Sequence, residues 1–330
     1  MKTKWFKTAL CFAMGAILTM GVTSCSKDDE NPTPIPNQKE AKIIMPASIE
    51  INIYGGHLHG PKKFHQNSFA KEVKYFGKNY KLKFTLENGK WVADPANEMV
   101  NLMGNTYGEE VHCVNAFDIH YYDKDGKEIT TQYTTPENRK LYQHFFMAKN
   151  ITSGYADTEK IEMKNGLDFM HYTYCDTDPA DKSNHFDGAK FLENEECVGM
   201  KGYFEFMASY KKFNLEIRLM RANESKLVDG KPSPFYEPTG KQLETEEWLP
   251  TISIPINLYM SADDRELETK DFDDYDKMMG YTEADFTEKD RRIIHALMDA
   301  FGITDFKTAA MEFYWNIDGS GTHEMNNFWF

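Results

Sequence analysis

Through the middle of this chain, apolar residues recur at every second position in short runs. Phe213-Asn214-Leu215-Glu216-Ile217-Arg218-Leu219 is the cleanest case, and Ile49-Glu50-Ile51-Asn52-Ile53 and Tyr80-Lys81-Leu82-Lys83-Phe84-Thr85-Leu86 repeat it. In an extended strand, successive side chains point to opposite faces, so this pattern specifies a sheet with one buried face and one wet face. From Val111 to Tyr122, Phe117, Ile119 and Tyr121 share one face, and His112, Asp118 and His120 the other. Further strands are expected at Phe145 to Ile151, Leu167 to Tyr174, Tyr203 to Met207 and Ile252 to Tyr259, and through Met311, Phe313, Trp315 and Ile317. Pro255 lacks an N–H for a ladder, which places its strand at an edge. A helical stripe occurs once: Ile293, Ile294, Leu297, Met298 and Phe301, with Thr287 as cap and Gly302 as stop.

The expected fold is therefore mainly β, with antiparallel pairing because the connections are short. The polar stretch Thr152 to Lys160 is the natural boundary. It divides the chain into two tandem antiparallel β-sandwich-like units, residues 42–155 and 161–330, the second carrying a helical insertion at about 261–304. A single larger sandwich satisfies the same pattern.

Residues 1–24 read as an export signal. Lys2, Lys4 and Lys7 precede an apolar run from Ala9 to Val22, too short to span a bilayer stably and ending in small residues. Those residues hold three lysines and no acids, so their removal moves the formal charge from −14 to −17. So acidic a chain repels nucleic acid and anionic lipid head groups, and suits a soluble extracellular domain or one that attracts cations. Residues 25–41 hold an acidic run and then Asn31-Pro32-Thr33-Pro34-Ile35-Pro36-Asn37-Gln38, a stiff spacer with no fold of its own. Beyond Cys25 only Cys113, Cys175 and Cys197 remain, an odd number without CxxC spacing. That excludes a disulfide framework and a zinc knuckle, leaving one bridge, Cys175 to Cys197, or buried free thiols.

The densest chemistry lies in Gly55-Gly56-His57-Leu58-His59-Gly60-Pro61-Lys62-Lys63-Phe64-His65-Gln66. His57 and His59 leave the same face of an extended segment, and the glycines let the backbone turn and make room. His65, past a Gly-Pro turn, can fold back as a third ligand, and His144 is the candidate fourth. Three imidazoles suit zinc, copper, nickel or iron, or haem, with a remaining position for water, a carboxylate or a chelator. Two other readings stay open: both histidines hydrogen-bonded to backbone, or a catalytic role. A weaker cation site is the loop with Asp176, Asp178, Asp181 and Asp187, whose carboxylates suit calcium but whose spacing departs from an EF-hand. No GxSxG, HExxH or Gly-rich phosphate loop occurs, so no catalytic residue is assigned and a non-enzymatic binding role is expected. His57-Leu58-His59 resembles part of the cupin metal motif, but the glutamate that motif carries next is absent; Pro61 to Phe64 stand there. Tyr54, Tyr122, Tyr172, Tyr259 and Tyr314 fall where a sheet's outer face would be, which makes a glycan-binding or adhesin-like protein the alternative function.

Val22-Thr23-Ser24-Cys25 resembles a bacterial lipobox, and Ser26-Lys27-Asp28-Asp29-Glu30 resembles the acidic export signal of Bacteroidota surface lipoproteins. The stretches GGHLHGPKKFHQ, QHFF, KGYFEF and SPFYEPT are similar to those of lipoproteins from gut Bacteroidales. The resemblance implies acyl chains on Cys25 and an address on the outer face of the outer membrane. Such lipoproteins often work beside a TonB-dependent transporter, capturing a nutrient and passing it inward. On this reading His57, His59 and His65 would hold a transition metal, a metal chelate or haem.

Overall fold

A computed structural model describes residues 43–67, 79–94, 99–105, 111, 113–153, 165–260, 275–315 and 328–330. The export signal, Cys25, the spacer and His112 lie outside the described residues. Residues 43–330 form one compact unit.

The strands in chain order are β1 (Ser48–Leu58), β2 (Phe64–Gln66), β3 (Tyr80–Glu87), β4 (Lys90–Asp94), β5 (Val100–Gly104), β6 (Val114–Tyr122), β7 (Tyr142–Ser153), β8 (Met170–Tyr174), β9 (Thr177–Asp178), β10 (Lys190–Phe191), β11 (Lys201–Phe206), β12 (Lys211–Arg221), β13 (Leu227–Val228), β14 (Lys231–Pro232), β15 (Glu247–Trp248) and β16 (Ile252–Met260). The helices are α1 (Asn184–Asp187), α2 (Gly240–Thr245), α3 (Tyr275–Gly280), α4 (Glu288–Phe301) and α5 (Phe306–Trp315). One large sheet runs β4-β3-β1-β6-β11-β8, with β2 added to β1. The other runs β15-β12-β16-β5, with β7 on β12. Among the described residues every strand pairing is antiparallel except β16 with β5.

The alternation read from the sequence is what holds the two sheets together. Ile49, Ile51 and Ile53 of β1 and Phe117, Ile119 and Tyr121 of β6 share one core with Phe213, Leu215, Ile217 and Leu219 of β12 and Ile252, Ile254, Ile256 and Leu258 of β16. The fold is thus mainly β and sandwich-like. Its strands do not, however, divide near residue 155. β8 and β11 complete the sheet begun by β1, and β5 joins the sheet built from β7, β12 and β16. The expected pair of tandem units is replaced by one sandwich, because each half of the chain leaves apolar strand faces that the other half covers.

Two local expectations also change. Met311 and Phe313 belong to helix α5 and not to a strand. Ala309, Ala310 and Phe313 are buried at helical spacing, and Asp305 accepts from the N–H and hydroxyl of Thr308 at 2.7 Å, an N-cap. Pro255 is not on an edge strand: β16 lies between β12 and β5. β5 pairs only from Ile256 onward, so its ladder never calls on the proline nitrogen. Helix α4 starts at Thr287, whose hydroxyl accepts from Asp290 N at 3.2 Å, and ends at Gly302 in the left-handed region, as its sequence requires. With α5 it packs on Met103 and Tyr259, at the ends of β5 and β16.

Candidate metal centre

β1 outruns its partner β3. Residues 48 to 53 pair with β3, and residues 56 to 58 then pair with β2 in the register Gly56↔Gln66, His57↔His65 and Leu58↔Phe64. The connection between them is tight: His59 N donates to Lys63 O at 2.9 Å, and Lys63 N to Gly60 O at 3.0 Å. Gly60 has φ +122° and Lys62 has φ +62°. The Lys62 ammonium ties the loop to the body through Leu192 O at 2.8 Å and Asn194 Oδ1 at 3.3 Å. Gly56 is required for a different reason. A β-carbon there would overlap the His65 carbonyl oxygen and the Phe64 ring.

This register puts the three histidines on one face. Directly opposed residues of an antiparallel pair point the same way, as do residues two apart on one strand. His57 and His65 are opposed, and His57 and His59 are two apart. Their nitrogens meet: His57 Nε2 lies 3.1 Å from His59 Nε2, which lies 3.3 Å from His65 Nδ1. All three ligand atoms fall within 4.8 Å of one another, the one such group among the described residues. His65 is buried, His57 half-buried and His59 exposed, so the group opens to solvent on the His59 side.

A single N–H at His59 Nε2 serves both neighbours only as a three-centre bond. An imidazole nitrogen is either a donor or an acceptor, with one in-plane direction for either role. Zinc–nitrogen bonds of about 2.0 Å at tetrahedral angles put donor atoms about 3.3 Å apart, close to the spacings found here. Asn67 Oδ1 accepts from His57 Nδ1 at 2.6 Å, which leaves the Nε2 lone pair facing the other rings.

The wall of the site comes from the far end of the chain. Residues 328–330 lie along β2: Gln66 N donates to Phe328 O at 2.9 Å, Phe328 N to Gln66 Oε1 at 2.9 Å, and Trp329 bridges His65. The Trp329 ring stacks on His65 (centroids 4.0 Å, 17°) and, on its other face, on His185 of α1 (3.9 Å, 10°). Tyr54 stacks on Phe328 at 4.3 Å, and Phe330 packs beside Phe64 in a small apolar cluster. A comparison with known proteins found no matching family model, no matching curated protein and no matching solved structure.

The other predicted residues are placed elsewhere. His144 does not join the triad: it is fully buried, its Nε2 lies 2.7 Å from the Tyr121 hydroxyl, and burial holds its pKa down to about 3. β7 carries it into the core between the sheets. The aspartates do not gather around a common point. Asp176 is buried and accepts from the backbone N–H groups of Gly199, Met200 and Lys201. Asp178 pairs with Arg139, Asp187 accepts from Ser183 N, and Asp181 lies 4.0 Å from Lys182. Among the described residues these four carboxylates form no common cation-ligating group, and each makes its own local contact. Cys113, Cys175 and Cys197 are buried free thiols, and burial raises those of Cys175 and Cys197. Of the tyrosines considered for glycan contact, Tyr172 and Tyr259 are buried in the core.

Asn67, Trp329 and His185 were missed. Asn67 shares the parity of His65, two residues on, so its orientation was within reach of the strand pattern. Trp329 and His185 carry no such signal, since only the tertiary fold brings them to the hairpin.

Proposed function

We propose that this protein is a non-enzymatic binding protein that captures a transition metal, free or as a complex, at His57, His59 and His65. The observation that carries this reading is the double contact at His59 Nε2, 3.1 Å from one imidazole nitrogen and 3.3 Å from another. Nitrogens in that arrangement suit a shared cation better than a shared proton. The exposed edge at His59 supplies a fourth position for water or a ligand carried by the metal. The lipobox-like Cys25, the acidic run after it and the spacer fit a lipid-anchored protein on the outer face of an outer membrane, delivering its cargo to a TonB-dependent transporter.

Cobalt(II) titration of the purified protein tests the reading. One equivalent should give the intense visible bands of a four-coordinate nitrogen-rich site, and zinc should displace it. The variant His57→Ala/His59→Ala should give the spectrum of free cobalt. A wild-type protein that leaves the cobalt spectrum unchanged would sink the proposal.

A further inference from the structure

We infer, resting on the metal-capture reading above, that the cargo is a single bare or partly hydrated ion of the zinc, nickel or copper kind, capped by the Trp329 indole, and that haem and other planar chelates are refused. The first argument is the direction of the ligands. A haem iron leaves two axial positions on opposite sides of its plane, the other four being taken by the macrocycle. Here three nitrogens converge from one side at 3.1 and 3.3 Å. Any one of them bound axially would drive its neighbours into the porphyrin. A small ion with an open tetrahedral or octahedral shell takes all three.

The second argument is the indole. An ion on His65 Nδ1 lies in the imidazole plane about 2 Å beyond the nitrogen. Trp329 is stacked over that ring at 4.0 Å and stands 4.9 Å from the His59 ring. The ion is then about 5 Å from the indole centroid, inside the roughly 6 Å range of a cation–π contact. The indole is held in place. His185 covers its outer face, and its neighbours are tied to β2 by Gln66 N to Phe328 O at 2.9 Å and Phe330 N to Phe64 O at 3.4 Å. Both faces of Trp329 being taken, no flat ligand can slide between it and the histidines.

The experiment uses the purified protein, wild type, Trp329→Leu, Trp329→Phe and His57→Ala/His59→Ala, with zinc, nickel and hemin as probes. Zinc should bind the wild type one to one by calorimetry, about tenfold more weakly in Trp329→Leu, and Trp329→Phe should recover part of the loss. Nickel should quench the wild-type emission in step with occupancy, and that component should vanish in Trp329→Phe. Hemin should give no Soret shift that depends on His57 and His59. A histidine-dependent hemin complex, or equal zinc affinity in the wild type and both tryptophan variants, overturns the inference while leaving metal capture in place. No binding of either ion by the wild type removes metal capture itself, and the inference with it. Circular dichroism of each variant separates lost binding from lost fold.

Discussion

The Oδ1 atom of Asn67 lies 2.6 Å from Nδ1 of His57, on the side of the ring away from the other histidines. Asn67 is itself fixed by its N–H, which donates to Gly55 O at 3.0 Å. One side chain thus sets both the tautomer and the tilt of a ligand. Partners of this kind are typically worth 10- to 100-fold in metal affinity. Asn67→Ala is expected to weaken zinc binding by at least about tenfold, with little change in melting temperature. Asn67→Asp keeps an acceptor there and is expected to retain or improve the affinity. Competition with a chromophoric chelator measures both; equal affinities for Asn67→Ala and wild type would remove Asn67 from the site.

Gly56 separates the fold of the hairpin from its chemistry. It touches no metal, yet a β-carbon at this position would overlap the carbonyl of His65 and the ring of Phe64. Gly56→Ala should force β2 away from β1, costing about 3 kcal/mol by overpacking. The register His57↔His65 that aligns the ligands would go with it. Chemical denaturation and zinc calorimetry should therefore fail together in this variant, whereas His59→Ala, at an exposed position, should lose zinc and keep its stability.

Asp176 was legible as an acid in an acidic loop, and its real work is internal. The residue is 2% exposed, and its carboxylate accepts from Gly199 N at 2.6 Å, Met200 N at 2.8 Å and Lys201 N at 3.1 Å. These bonds fix the turn that leads into β11. Asp176→Ala would leave two buried donors and one half-buried donor unmatched and is expected to cost about 3 kcal/mol or more. Added calcium should leave the melting temperature of the wild type unchanged. A calcium-dependent rise would return the loop to the list of cation sites.

What the sequence revealed, and what it did not, follows from the range of each interaction. Period-two runs such as 213–219 mark strands because burial of one sheet face is a local pattern. The HxH pair and His65 were visible because a hairpin brings together residues close in sequence. The pairing of β5 with β16, across some 150 residues, was not visible, since several covers for an apolar edge satisfy the same alternation. The run from Met311 to Trp315 misled for another reason: apolar side chains at 311, 313 and 315 read as a strand, while Ala309 and Ala310, four and three residues before Phe313, share its buried helical face. Trp329 lay beyond any local rule, its neighbours His65 and His185 being remote in sequence.

A last prediction concerns the wet face of the large sheet. His120 lies between two carboxylates, Asp118 Oδ2 at 2.9 Å and Glu128 Oε1 at 2.8 Å. Burial by itself lowers its pKa, but the hydrogen bonds and charges of Asp118 and Glu128 outweigh that and raise it to about 9. A pKa raised above the unfolded value of about 6.5 means that the folded state holds the proton more tightly. The resulting stabilisation is complete below about pH 6.5 and is lost as pH rises through about 9. Deprotonation leaves the two acids, with Glu50 opposite on β1, without the imidazolium between them. The melting temperature of the wild type should thus fall more steeply than that of His120→Gln from about pH 7 to about pH 10, at fixed ionic strength. An NMR titration should put the His120 midpoint near 9; a midpoint below about 7 would show that burial wins over the two carboxylates.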